Sequence, residues 1–209
     1  MVIEIGKTAV HISFWSATVL CTMLIFDRQM LFFKLFSAVC MHEAGHVIML
    51  RIMHRRVRAV RLTAFGICLD IGAEQTLSYR EEIQAALCGP LVNLLLCVIF
   101  ALRRDVSAAC INAALFLINM LPVNTLDGGR ILCALLSERA SPATACKVIK
   151  ATGLLCVLFL AVISLASFHS GRPNFTLPVI CVYLYLLTFP RSAASLTGKN
   201  NCKACAFFV

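Results

Sequence analysis

The chain has 209 residues, 60% of them hydrophobic and only 14% charged, with a formal net charge of +9. Such a balance lies far outside that of ordinary soluble domains and makes this an integral membrane protein. It supplies several spanning helices of ~20 residues each and leaves no room for a sizeable extramembrane domain. The basic excess does not indicate nucleic-acid binding, because no soluble basic module with interleaved aromatics is present.

Six apolar stretches are legible, at 10–26, 31–53, 83–102, 107–122, 147–168 and 175–189. They predict an all-α polytopic membrane protein of about six transmembrane helices, forming a single domain over 1–209. Its core is 31–137, with accessory helices in 1–30 and 142–190 and a short polar tail at 191–209. The first stretch lacks a basic leader and a small-residue cleavage site, so it is expected as a retained helix.

The second stretch contains His42-Glu43-Ala44-Gly45-His46. Residues four apart share a helix face, so both imidazoles can bind one metal while Glu43 acts as the general base on water. Two histidines and a carboxylate can also simply pack in a core, but ionisable groups in a spanning segment are costly and point to function. Arg51, Arg55, Arg56, Arg58 and Arg61 crowd the end of this stretch and mark its cytoplasmic side by the positive-inside rule. With six spans, both termini are then cytoplasmic, and 14 of the 19 Lys and Arg fall on that side.

Between the second and third stretches, 57–77 shows period-two alternation about Gly66, the pattern of a short β-hairpin. It serves either as a plain connection or as an edge that pairs with an extended substrate. Ser78 and Glu81 form a capping-box pattern for the third helix. That helix carries Gly89-Pro90-Leu91-Val92-Asn93. Helix packing accounts for the Gly-Pro pair, whereas Asn93 needs an internal partner and is a candidate for support near the active centre.

A catalytic zinc commonly takes three protein ligands. Among the remaining carboxylates, Asp127 stands in an unusual context, Asn119-Met120-Leu121-Pro122-Val123-Asn124-Thr125-Leu126-Asp127-Gly128-Gly129-Arg130. Pro122 ends the fourth stretch, and the two glycines are expected to let backbone approach the metal. Asp127 can equally N-cap the helix that follows, and the two roles are compatible. On the charge-derived orientation Asp127 falls on the same side of the membrane as His46, which lies ~7 Å of helix rise from the arginine cluster. Asn119, like Asn93, is a candidate to hydrogen-bond substrate backbone.

Most of the 12 cysteines lie singly in apolar runs and behave as small hydrophobes. Cys202 and Cys205 form a C-x-x-C in the tail, a weak zinc or redox signal without a second pair.

The paired motifs, His42 to His46 and Asn119 to Arg130, with Gly89 to Asn93 as a third, resemble those of the site-2 protease family of intramembrane zinc metalloproteases. The resemblance covers 31–130. It implies that His42, His46 and Asp127 ligate one Zn2+ and that Glu43 is the catalytic carboxylate. It also implies cleavage of a membrane-tethered protein near the cytoplasmic face of a bacterial cell membrane, with inhibitory or regulatory membrane proteins as further partners. The spacing leaves no room for a PDZ insertion between the second and third spans or for a CBS domain in the tail. The compact layout is similar to the stage IV sporulation proteases, which release a sigma-factor precursor. The alternative class is a membrane zinc transporter or metal sensor, but His11, His54 and His169 are scattered and form no relay. A family member acting only as a chaperone would not need Glu43.

Overall fold

The apolar run that holds both histidines folds as one continuous helix, α1 (Leu31–Ile52). In the computed structural model, residues 2–5, 8–12, 27, 30–55, 59–63, 66–70, 77–169 and 176–188 are described. Besides α1 the described elements are, in chain order, β1 (Val2–Ile5), β2 (Thr8–Ile12), β3 (Ala59–Thr63), β4 (Gly66–Asp70), α2 (Tyr79–Leu102), α3 (Val106–Asn119), α4 (Asp127–Arg139), α5 (Pro142–His169) and α6 (Thr176–Thr188). The chain divides into two compact units, the first reaching Ile118 and the second beginning at Asn119.

In the first unit, α1 starts at Met30, whose φ of 54° places it in the left-handed region and whose side chain caps nothing. Asp27 does the capping instead, accepting the N–H groups of Leu31 and Phe33 at 2.9 Å each. Ala38, His42, Gly45, His46 and Leu50 form the buried stripe of α1, spaced at three and four residues. Gly45 lets this stripe meet α2 closely. A Cβ there would stand 2.9 Å from the Cys88 carbonyl oxygen and from Val92 Cγ2.

Helix α2 begins with the capping box read from the sequence: the Ser78 hydroxyl accepts from the Glu81 N–H at 3.4 Å and Glu81 accepts from the Ser78 N–H at 2.8 Å. Glu81 also pairs with Arg55 at 2.8 Å, which anchors the residue just beyond α1 to the start of α2. Asp105 opens α3, accepting from the Ala108 N–H at 3.1 Å, and it receives Lys34 of α1 at 2.7 Å.

The four strands form one sheet in the order β1-β2-β3-β4. β3 pairs antiparallel with β4, Val60 opposite Leu69, and pairs in parallel with β2, Val10 opposite Val60. Two points therefore differ from the sequence reading. Val10 to Ile12, expected to open a first spanning helix, belong to strand β2, because period-two pairing with β1 and β3 is available to them; the rest of that stretch, 13–26, lies outside the described residues. And β3, holding Val60 and Leu62, is paired on both sides, so it offers no free edge to a substrate. Among the described strands the edges are β1 and β4.

The second unit holds α4, α5 and α6. Cys133, Ala145 and Ile149 form one buried cluster, and Val123, Val157 and Leu184 another. Gly153 allows α5 to approach Thr188 of α6, whose hydroxyl donates to the Leu184 carbonyl at 2.8 Å.

Three described helices are long and apolar enough to cross a membrane: Leu31–Ile52, Tyr79–Leu102 and Ala143–His169. The fourth and sixth stretches form shorter apolar helices, Val106–Asn119 and Thr176–Leu186. Fourteen helical residues in α3 rise only ~21 Å, less than the ~30 Å of a bilayer core.

Candidate active site

Helical periodicity alone sets His42 above His46 on the buried face of α1, 6% and 3% exposed. Their rings stand edge to face, 82° apart with centroids at 4.8 Å, and the two Nε2 atoms approach to 3.1 Å. His46 Nδ1 lies 2.7 Å from the Ala85 carbonyl oxygen of α2. A carbonyl only accepts, so this nitrogen carries the proton and His46 Nε2 presents its lone pair towards His42. The Asn93 amide, also on α2, lies 3.0 Å from His42 Nδ1.

Gly89 is what leaves space for these rings. A Cβ at this position would clash with His46 Nε2 and fall 2.7 Å from His42 Nε2. The Gly-Pro pair thus clears the face of α2 that confronts both imidazoles, and Pro90 follows it fully buried. Two converging imidazole nitrogens, one with its tautomer set by a carbonyl, against a helix face that only glycine leaves clear, suit a zinc ion. Glu43 follows His42 by ~100° of helix turn and is half-buried.

The second unit carries the other motif residues singled out above. Asn119 closes α3, and 120–126 connect it to α4. Asp127 is the first residue of α4, not its N-cap: Leu126 occupies that position and makes no side-chain cap bond. Asp127 is 6% exposed, and its carboxylate lies 3.6 Å from the guanidinium of Arg130, itself 6% exposed. Gly128 and Gly129 serve close packing of the backbone within the second unit. A Cβ on Gly128 would strike the Met120 carbonyl, and one on Gly129 the Val123 carbonyl. Both glycines let the first turn of α4 lie on the backbone of the preceding segment.

Three contributors had no sequence signal or a misleading one. The Ala85 carbonyl is backbone and leaves no trace in residue type. Gly89 reads as a packing glycine until its neighbour is known to be His46. Arg130 is legible only as part of the Asn119 to Arg130 pattern, while its burial beside Asp127 needs the fold.

The first unit thus carries a buried histidine pair in a helix of spanning length, and the second a buried carboxylate at the head of α4. The model of Peptidase family M50 matches residues 105–160, a segment that includes Asn119 and Asp127 and follows the histidine motif. The chain is similar to the Stage IV sporulation protein FB of Bacillus subtilis (strain 168), 26% identical over 110 residues, 48% of this chain and 38% of that protein. It is also similar to a zinc metalloprotease of Methanocaldococcus jannaschii, 24% identical over 145 residues, 62% of this chain and 42% of that one. It thus spans about two fifths of the length of the curated relatives it matches. Its fold matches that of the Site-2 Protease from Methanocaldococcus jannaschii with a TM-score of 0.66 at 18% identity, covering 96% of this chain and 99% of that one. Over part of its length the chain is thus similar in sequence to peptidases of family M50, and its fold is like that of a site-2 protease.

Proposed function

We propose that the protein is an intramembrane zinc metalloprotease that hydrolyses a peptide bond in or near a transmembrane segment of a membrane-tethered protein, close to the cytoplasmic face. The observation that carries this is the convergence of His42 and His46 Nε2 in the space cleared by Gly89, within a helix of spanning length. His42 and His46 would hold the ion with Asp127 as the third protein ligand, a donor set of three buried groups that suits catalytic zinc. One ion is sufficient for hydrolysis. When bound, it supplies Lewis-acid polarisation of the scissile carbonyl and lowers the pKa of water towards ~7.

Glu43 takes a proton from the attacking water and hands it to the leaving amine, a role worth about 10²–10⁴-fold in rate. Peptide bonds in a membrane helix are closed off by their own hydrogen bonds, so the substrate must unwind before it is cut. The outer edge of β4 is the surface offered to the unwound strand, in place of β3, and Asn119 is a further donor to substrate backbone. The substrate class is a membrane-tethered regulator such as a sigma-factor precursor, with membrane proteins as inhibitors or regulators. Similarity to a sporulation protein supports that choice. The arginines from Arg51 to Arg61 orient the chain as a multi-pass protein of a bacterial cell membrane, both termini cytoplasmic if six segments span.

The deciding experiment is cleavage of candidate membrane-tethered precursors by wild-type protein and by Glu43→Gln. Wild type should cut and lose activity to a chelator, while Glu43→Gln should keep zinc and lose cleavage by about 10²-fold or more. A Glu43→Gln variant that still cuts would overturn the assignment.

A further inference from the structure

Asn93 is fully buried on α2, which has the length and hydropathy of a membrane span. Its side-chain amide contacts His42 Nδ1 at 3.0 Å, and its Oδ1 has no hydrogen-bond partner. The two ends of an amide have nearly the same shape, so which one faces the histidine is decided by the bonds each can make. His42 can aim an Nε2 lone pair at a metal only when its proton sits on Nδ1, and that N–H then requires an acceptor. A half-turn of the Asn93 amide places Oδ1 at that position. The same half-turn supplies the orphaned oxygen with its partner. His46 already obeys this rule, donating Nδ1–H to the Ala85 carbonyl.

Resting on the metalloprotease reading above, we propose that Asn93 is a positioning residue for His42: its Oδ1 accepts the Nδ1 proton and thereby selects the tautomer whose Nε2 ligates zinc. Full burial between α1 and α2 also separates this role from the direct substrate contact expected from sequence. The two histidines are then held in one tautomer by two kinds of acceptor on one helix. Ala85 and Asn93 are eight residues apart on α2, close to two turns, as His42 and His46 are one turn apart on α1. Ligands to metals are regularly oriented by such outer partners, and losing one costs 10–100-fold in affinity.

The test is the zinc affinity of the full chain in detergent, measured by competition with a chromophoric chelator for wild type, Asn93→Leu and Asn93→Asp, with helical content recorded by circular dichroism. Asn93→Leu should bind zinc about 10–100-fold more weakly, whereas Asn93→Asp, which accepts but cannot donate, should stay within about threefold of wild type or bind more tightly. The visible spectrum after cobalt substitution should follow the same order, unchanged in Asn93→Asp and altered in Asn93→Leu. Equal zinc affinity in all three proteins, with only KM raised, would show contact with substrate and overturn the proposal. A loss in Asn93→Asp as large as that in Asn93→Leu would show the amide donating and overturn it too. If Asn93→Leu does not fold, Asn93→Ala takes its place as the variant without an acceptor, with the same loss of affinity expected. A wild-type chain that binds no zinc would remove the metalloprotease reading itself, a result distinct from a wild type that binds while Asn93→Leu binds equally well.

Discussion

Gly89 of α2 faces His46 of α1 so closely that an added methyl group would clash with His46 Nε2, well inside van der Waals contact. Gly89→Ala must therefore push the imidazoles apart or separate the helices. Overpacking of this kind costs about 1–3 kcal/mol. The expected outcome is a modest fall in melting temperature and a loss of zinc affinity at least as large as the 10–100-fold typical of a disturbed outer contact. Metal content after dialysis, set beside a thermal melt, checks it; full zinc occupancy in Gly89→Ala would show that the imidazoles do not converge on an ion there.

Asp127→Ala removes a carboxylate that is buried at the head of α4 beside Arg130. Two effects should be separable. Arg130 loses a charged neighbour, which destabilises the second unit, and a buried charge left without its partner can cost about 3–5 kcal/mol. Zinc affinity should fall as well if Asp127 is a ligand. Asp127→Asn keeps the shape and an acceptor oxygen, so it should recover much of the stability while recovering little of the affinity. Isothermal titration with zinc on both variants distinguishes the two roles.

Lys34 of α1 holds the Asp105 carboxylate, with help from the Ala108 N–H and the Ser107 hydroxyl, and lowers its pKa to about 2 from an ordinary 3.8. A depressed folded-state pKa contributes stability that is fully present above the unfolded value and is lost as pH falls through the folded one. Melting temperature should thus decline between pH 4 and pH 2. Asp105→Asn should flatten that segment of the profile. Because this pair is solvent-accessible, added salt should shrink the difference between the two proteins.

Cys68 and Leu69 are adjacent on β4, an edge strand among those described, so one directs its N–H towards β3 and the other outward. Proline at the inward position removes a bond within the sheet, while proline at the outward position removes only a donor that an incoming strand could use. Comparing Cys68→Pro with Leu69→Pro, cleavage should fall in both, and in one of them the thermal melt and zinc content should be unchanged. Wild-type turnover in both variants would rule out pairing of the substrate with β4.

Local chemistry alone determined a good part of this protein. The 60% apolar composition pointed to a membrane, the four-residue spacing of His42 and His46 placed both rings on one face, and Ser78 with Glu81 marked where α2 starts. Each depends on residues within one or two helical turns, where backbone geometry leaves little freedom. Tertiary structure decided what lies opposite them. Gly89 and Asn93 lie 43 and 47 residues beyond His46, and their effect on the histidines comes from how closely α1 crosses α2, a distance set by small residues such as Gly45 on the partner helix. Strand β2 was hidden for a related reason. Val10 to Ile12 are apolar enough to suit helix or strand, and the hydrogen bonds to Ala59–Thr63, some fifty residues away, decide between them. Side-chain period is written in the sequence, whereas the partner each face meets depends on contacts that exist only once distant segments have packed.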